Sequence, residues 1–265
     1  MSRLERAFHR DVAGASLPDA PLEPAGPVSG ADIAGLPATV RRYLAFMGVV
    51  GRRPDWSFAA RFDGRFRRSV DGAWMPCTAW QYNTALGTAR IFTMDVRFAK
   101  VVPMIGHDTY LHGRGRMLGK VLGLVTVADG SGEPFDIGEL VTYLNDAILL
   151  APSMLLDAAT SWAEVDHHSF DVSLTDSGRT VSARVELDER GAPVDFSTTD
   201  RFIDADGGPR RCRWTTPVPH WDEVDGRPLP GPTGATWHLE DGPFTYIEGG
   251  FVPGTVRYNL PPPAR

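Results

Sequence analysis

From Trp56 the hydrophobic positions recur every second residue. Trp56, Phe58, Ala60 and Phe62 share one parity, and Ser57, Ala59, Arg61 and Asp63 the other, which predicts a strand with one buried face. Residues 89–98 repeat the pattern, with Phe92, Met94, Val96 and Phe98 on one side. Asp108, Tyr110, His112, Arg114 and Arg116 also share a parity, so this stretch reads as a strand with a polar face. Gly113 and Gly115 lie on the opposite face, where paired glycines mark a bend or the close approach of another element. Leu118 to Val127 is apolar at most positions and fits strand or helix. After Trp162 the alternation resumes through Phe170, Val172 and Leu174, then Val181, Ala183, Val185 and Leu187. Turn signals stand at 63–64, 71–72, 176–178, 189–191, 206–208, 225–226 and 241–242, each of the Asp-Gly kind or close to it. Together they predict a long antiparallel meander.

Two segments break the period of two. After Leu36-Pro37, the residues Val40, Tyr43, Leu44 and Met47 recur at helical spacing, and Gly48 or Gly51 ends the run. Residues 136–150 form the stronger helix. Asp136 followed by Glu139 reads as a capping box, and Ile137, Leu140, Val141, Leu144 and Ile148 make one apolar stripe. Leu149 and Leu150 widen that stripe until the helix is apolar on most sides, which is the pattern of a buried helix. The expected fold is therefore α+β and β-rich: a large curved antiparallel sheet, a half-barrel-like meander, wrapped around a buried helix, with an N-terminal helix. Residues 1–35 read as an arm with a Pro-rich connector, and 36–265 as a single curved-sheet domain.

Composition narrows the function classes. The 265 residues include 28 glycines and 22 prolines, above the usual combined share of about 12% and in keeping with many turns. The net charge is −6. Residues 61–127 hold ten Lys and Arg against four Asp and Glu, and 128–265 hold ten against 23. The acidic second half argues against nucleic-acid binding. No run of apolar residues is long enough for a transmembrane helix. The first twenty residues are rich in charge and do not read as an export signal, so the expected compartment is cytoplasmic. Cys77 and Cys212 belong to no CxxC pair, although one bridge between them stays open.

Few residues carry recognisable chemistry. Residues 113–120, GRGRMLGK, fit neither a phosphate loop nor a dinucleotide fingerprint, and no HExxH or GxSxG is present. Asp166-His167-His168 reads as a polar turn, because adjacent histidines on a strand face opposite ways. No metal or cofactor is expected. The candidate ligand-binding residues are Tyr110, His112 and Arg114 on the polar strand face, and Glu139, Tyr143 and Asp146, which share one face of the helix. Asp146 stands in apolar surroundings and needs a cationic or hydrogen-bonding partner. An arginine or tyrosine from residues 61–127 is expected there, with Arg114 and Arg116 first in line.

The blocks LPATVRRYLAFMGV, GRFRRSVDGAWMPCTAWQY, HDTYLHGRGRMLGKVLGLVTVADGSG and GELVTYLNDAILLAPSMLL resemble, in order and spacing, an uncharacterised bacterial family with a domain-of-unknown-function label. The resemblance spans residues 36–258 and implies no activity or catalytic residue. The shape it implies is similar to the half-barrel carriers that shuttle lipoproteins. With catalytic signatures absent, the expected function is binding or carrying an apolar small molecule, a lipid or acyl chain, between sheet and helix. The alternatives are acid/base catalysis on a hydrophobic metabolite, with His112 and Asp146 as proton carriers, and a scaffold that binds a protein partner.

Overall fold

In the computed structural model all residues are described except Pro24, 99–101, 122–124, 206–207 and Arg265. The expected turn at 206–208 and the middle of the ambiguous stretch at 118–127 fall partly outside the described residues.

Six strands come first: β1 (Ser57–Phe66), β2 (Met75–Thr84), β3 (Ala89–Phe98), β4 (Val102–Leu111), β5 (Arg114–Val121) and β6 (Val125–Ser131). They follow two helices, α1 (Arg3–Gly14) and α2 (Ala38–Phe46). The long helix α3 (Glu133–Leu150) and a 3-10 turn (Pro152–Leu155) lead into β7 (Thr160–Asp166), β8 (Ser169–Asp176), β9 (Arg179–Leu187), β10 (Pro193–Ala205) and β11 (Gly208–Thr215). The short hairpin β12 (Trp221–Val224) and β13 (Arg227–Pro230) stands apart. The chain then returns through β14 (Thr233–Leu239), β15 (Gly242–Phe251) and β16 (Arg257–Tyr258). Every pairing is antiparallel, in the order β6-β5-β4-β3-β2-β1-β15-β14-β11-β10-β9-β8-β7, with β16 beside β1.

This order makes β6 and β7 the two edges of the sheet, although they are consecutive in sequence. Helix α3 is the connection between them. Strands β4 and β8 lie nine positions apart, which in a flat sheet is about 43 Å at the usual strand spacing. Yet the Tyr110 hydroxyl of β4 donates to Asp176 Oδ2 of β8 at 2.7 Å. The sheet is therefore curled into a half-barrel, with α3 inside the curl. Leu140, Val141, Leu144 and Ile148 are fully buried there, against Tyr110, Phe170, Val181 and Phe196 from both halves of the sheet.

The helix seats on the sheet through a missing side chain. A Cβ on Gly115 would stand 2.0 Å from the Phe135 carbonyl oxygen, so only glycine lets the first turn of α3 reach β5. Outside the curl, α1 packs Phe8 and Val12 on Tyr82 and Ile91. Its Asp11 meets His107 of β4 at 2.9 Å. Residues 3–14, expected as part of an arm, are thus a helix: Leu4, Phe8 and Val12 share its buried face, and Ser2 with Glu5 forms its capping box.

Three local expectations are corrected. Residues 108–116 are not one strand: β4 ends at Leu111, and His112 and Gly113, with φ of +53° and +74°, form the turn into β5. A His-Gly pair serves where Asn-Gly is usual, because both central residues of such a hairpin need positive φ. Asp63-Gly64 is not a turn but lies inside β1, with Gly64 opposite Gly249 of β15. Helix α3 starts three residues earlier than expected, at Glu133, with Pro134 in its first turn and Gly132 as a cap without a side chain. Asp136 is thereby released from capping and binds elsewhere.

Candidate functional site

Two polar assemblies touch α3. The first closes the half-barrel at the start of the helix. Asp136, 1% exposed, accepts the Gly115 amide at 2.8 Å. It also meets Arg179 of β9 at 2.8 Å and Arg114 of β5 at 3.2 Å. Arg179 further donates to the Gly113 carbonyl at 3.0 Å. With Tyr110 and Asp176, these contacts tie the β4–β5 turn to the β8–β9 turn. Burial and the hydrogen bond to Asp176 hold the Tyr110 hydroxyl far above its ordinary range, so it stays a proton donor.

The second assembly lies along the helix on the concave face. Arg90 comes from β3, where it shares the parity of Phe92, Met94 and Val96. Its Nε donates to Asp146 at 2.7 Å and its Nη1 to Glu139 at 3.0 Å. Asn83 donates to the same Asp146 oxygen at 3.2 Å and accepts from Gln81. Arg201 arrives from β10 on the opposite half of the sheet. Its guanidinium lies over the rings of Trp214 and Trp237, at 4.6 and 5.5 Å, and its Nη1 donates to Thr142 of α3 at 2.5 Å. Asp108 of β4, on the same face, is partly exposed.

Burial dominates the electrostatics. It pushes Glu139 up to about 7 against the pull of the Arg90 charge, with Asp108 adding repulsion. It also raises Asp146, although Arg90 and Asn83 both stabilise the ionised form. Asp108 is raised for the same first reason, against the pull of Arg90, Arg201 and His107. Three carboxyls that resist ionisation thus share one face with two guanidiniums.

The six residues singled out in the sequence divide between the two assemblies. Glu139 and Asp146 meet through Arg90, and Tyr143 is buried beside them in the core. Tyr110 and Arg114 belong to the closure at the helix start. His112 is exposed at the hairpin tip. Asp146 lies ten residues along α3 from Asp136, about 15 Å at the rise of a helix, so His112 and Asp146 do not converge. Asp146 does take an arginine from residues 61–127, but that arginine is Arg90. Arg114 is drawn to Asp136 and Arg116 to Asp129, because the turn at His112 moves both onto β5. Arg90 and Arg201 were missed. The signal for Arg90 was a charge at a core-facing position of an alternating strand.

The sheet–helix contact is filled by packed side chains. Farther along the same strands, a second apolar cluster covers the concave face: Cys77, Ala79, Met94 and Val96, flanked by Phe62, Phe66, Met75, Phe92, Met104 and Ile247. Helix α3 does not extend over it, and Phe62, Phe66, Phe92 and Met104 stay partly exposed. Asp108 lies opposite Phe92 across the β3–β4 pair, at the border between this trough and the ionic cluster. Cys77 and Cys212 are both free. Among the described residues no group of His, Cys, Asp or Glu has the arrangement of a metal site, and no helix is long and apolar enough to cross a membrane.

A family model described as a family of unknown function, DUF6544, matches residues 26–249. The chain belongs to this family. The match contains α2, α3 and most of the sheet, and with them every residue of both polar assemblies. No curated protein matches the chain. Among solved structures it is similar to a LolA superfamily protein from Nitrosomonas europaea, at 12% identity over 83% of this chain and 90% of that one, TM-score 0.41. It is also similar to a DUF1329 family protein from Desulfovibrio piger, at 12% identity over 84% and 92%, TM-score 0.45.

Proposed function

We infer that the protein binds or carries an apolar small molecule, a lipid or acyl chain, on the concave face of its half-barrel. The observation that carries this reading is the apolar trough whose buried floor is Ala79, Met94 and Val96 and whose partly exposed lining is Phe62, Phe66, Phe92 and Met104, a cluster inside the curl that contains no residue of α3. Ligand sites are concave and mostly apolar, with a few polar groups that fix orientation. Here Asp108 and the arginine cluster stand at one end of the apolar surface and supply such groups. The ligand seat therefore lies beside the helix rather than beneath it, where the core is closed by packed side chains. The catalytic alternative loses its proposed pair, since His112 and Asp146 belong to different ends of the helix.

Native mass spectrometry of freshly purified protein, combined with titration of a fluorescent fatty acid, tests the reading. Retained lipid mass or saturable probe binding is expected, with loss of binding in Met104→Glu, which puts a charge on the partly exposed lining of the trough. A clean apo mass together with no probe binding sinks it.

A further inference from the structure

Among the described residues, one guanidinium on the concave face has no carboxylate partner. Arg90 is paired with two carboxyl groups, Glu139 and Asp146. Arg201 has no carboxylate oxygen within salt-bridge distance among the described residues, and its Nε is buried without an acceptor. Nη1 is committed to Thr142. The remaining Nε and Nη2 donors point along one edge, the edge that grips a carboxylate with two parallel hydrogen bonds. Trp214 and Trp237 hold the guanidinium plane in place, so little freedom is lost when an anion arrives.

We propose that the Nε/Nη2 edge of Arg201 receives the carboxylate of a single-chain amphiphile, a fatty acid, whose alkyl chain lies in the apolar trough. This rests on the ligand reading above and adds the chemistry of the polar end. Charge balance selects a monoanion. Among the described residues this is the guanidinium edge on the concave face without a carboxylate, and a phosphate would bring a second negative charge beside Asp108 and Glu139. Burial raises both carboxyls even against the pull of Arg90 and Arg201, so this face tolerates one added negative charge better than two. An amine would meet the charges of Arg90 and Arg201.

The full chain is titrated with dodecanoate, dodecan-1-ol and dodecyl phosphate, followed by tryptophan fluorescence and calorimetry. Dodecanoate is expected to bind about tenfold tighter than the alcohol, the margin of one charge-assisted bidentate contact. In Arg201→Gln that preference collapses. Arg201→Lys keeps the charge but not the two-donor edge, and is expected to lose most of the preference, which decides the matter if the glutamine variant does not fold. Equal binding of acid and alcohol, or a preference that survives in Arg201→Lys, overturns the assignment while leaving the ligand reading intact. Tighter binding of dodecyl phosphate overturns the monoanion. If none of the three probes binds, the ligand reading itself fails.

Discussion

At the residue scale, the burden falls on Arg90 and its two carboxylates, whose side chains are 4–9% exposed. Buried ions cost several kcal/mol each in lost hydration unless partners return it. Asp146→Ala removes one partner of Arg90 and the acceptor of Asn83. Breaking a buried pair in this way costs about 3–5 kcal/mol, and the low end is expected here because Glu139 still holds Arg90. Urea denaturation measures it, and a loss under about 1 kcal/mol would mean that water reaches the pair. Glu139 gives a pH signature. Its carboxyl is pushed up to about 7 in the folded protein, above its value in the unfolded chain. Between the ordinary carboxylate range and about pH 7 the folded state binds more protons, so stability falls as pH rises through that window. The melting temperature is expected to be higher near pH 5 than near pH 8, and Glu139→Gln to flatten that slope. An unchanged slope would place Glu139 in water.

At the element scale, α3 depends on how its first turn meets β5. Gly115→Ala sets a methyl against the Phe135 backbone, where no side chain can rotate away. Overpacking of this kind costs about 1–3 kcal/mol, read as a drop in melting temperature. A neutral result would show that the helix is free to lift. The hairpin tips offer a separate test. Arg179→Ala leaves Asp136 with the exposed Arg114 as its cation and frees the Gly113 carbonyl. Faster hydrogen exchange is expected in both the β4–β5 and β8–β9 turns together, because a single clasp joins them. Faster exchange in one turn only would show that the half-barrel is held shut by the core instead. Most elements were legible from period and turn chemistry, as in β3 and in the meander from β7 to β9. Where the reading failed, as at His112, a turn used an uncommon residue at positive φ.

At the scale of the whole molecule, the N-terminal segment divides in two. Helix α1 lies on the convex face and covers Tyr82 and Ile91, whereas Val28 and Ile33 are part of the main core. Deleting residues 1–20 is expected to leave a cooperative unfolding transition at lower temperature with a newly exposed apolar patch. Deleting 1–35 also opens the main core and is expected to abolish that transition in differential scanning calorimetry. A cooperative transition that survives the longer deletion would make the whole arm dispensable.

Side-chain period, glycine and aspartate turns, and one long apolar run were enough by themselves to determine an antiparallel meander with a buried helix, since alternation and helical spacing are local properties of a chain. The need of Asp146 for a cation was equally local, because its helical neighbours are apolar. Which cation answers it was decided only by tertiary structure. Arg90, Asp146 and Arg201 are brought to one face by a sheet that curls until strands nine positions apart share a hydrogen bond, and no spacing along the chain encodes that meeting. The same curl decided that helix and sheet close on one another and that the second apolar cluster, with its partly exposed lining, lies beside them.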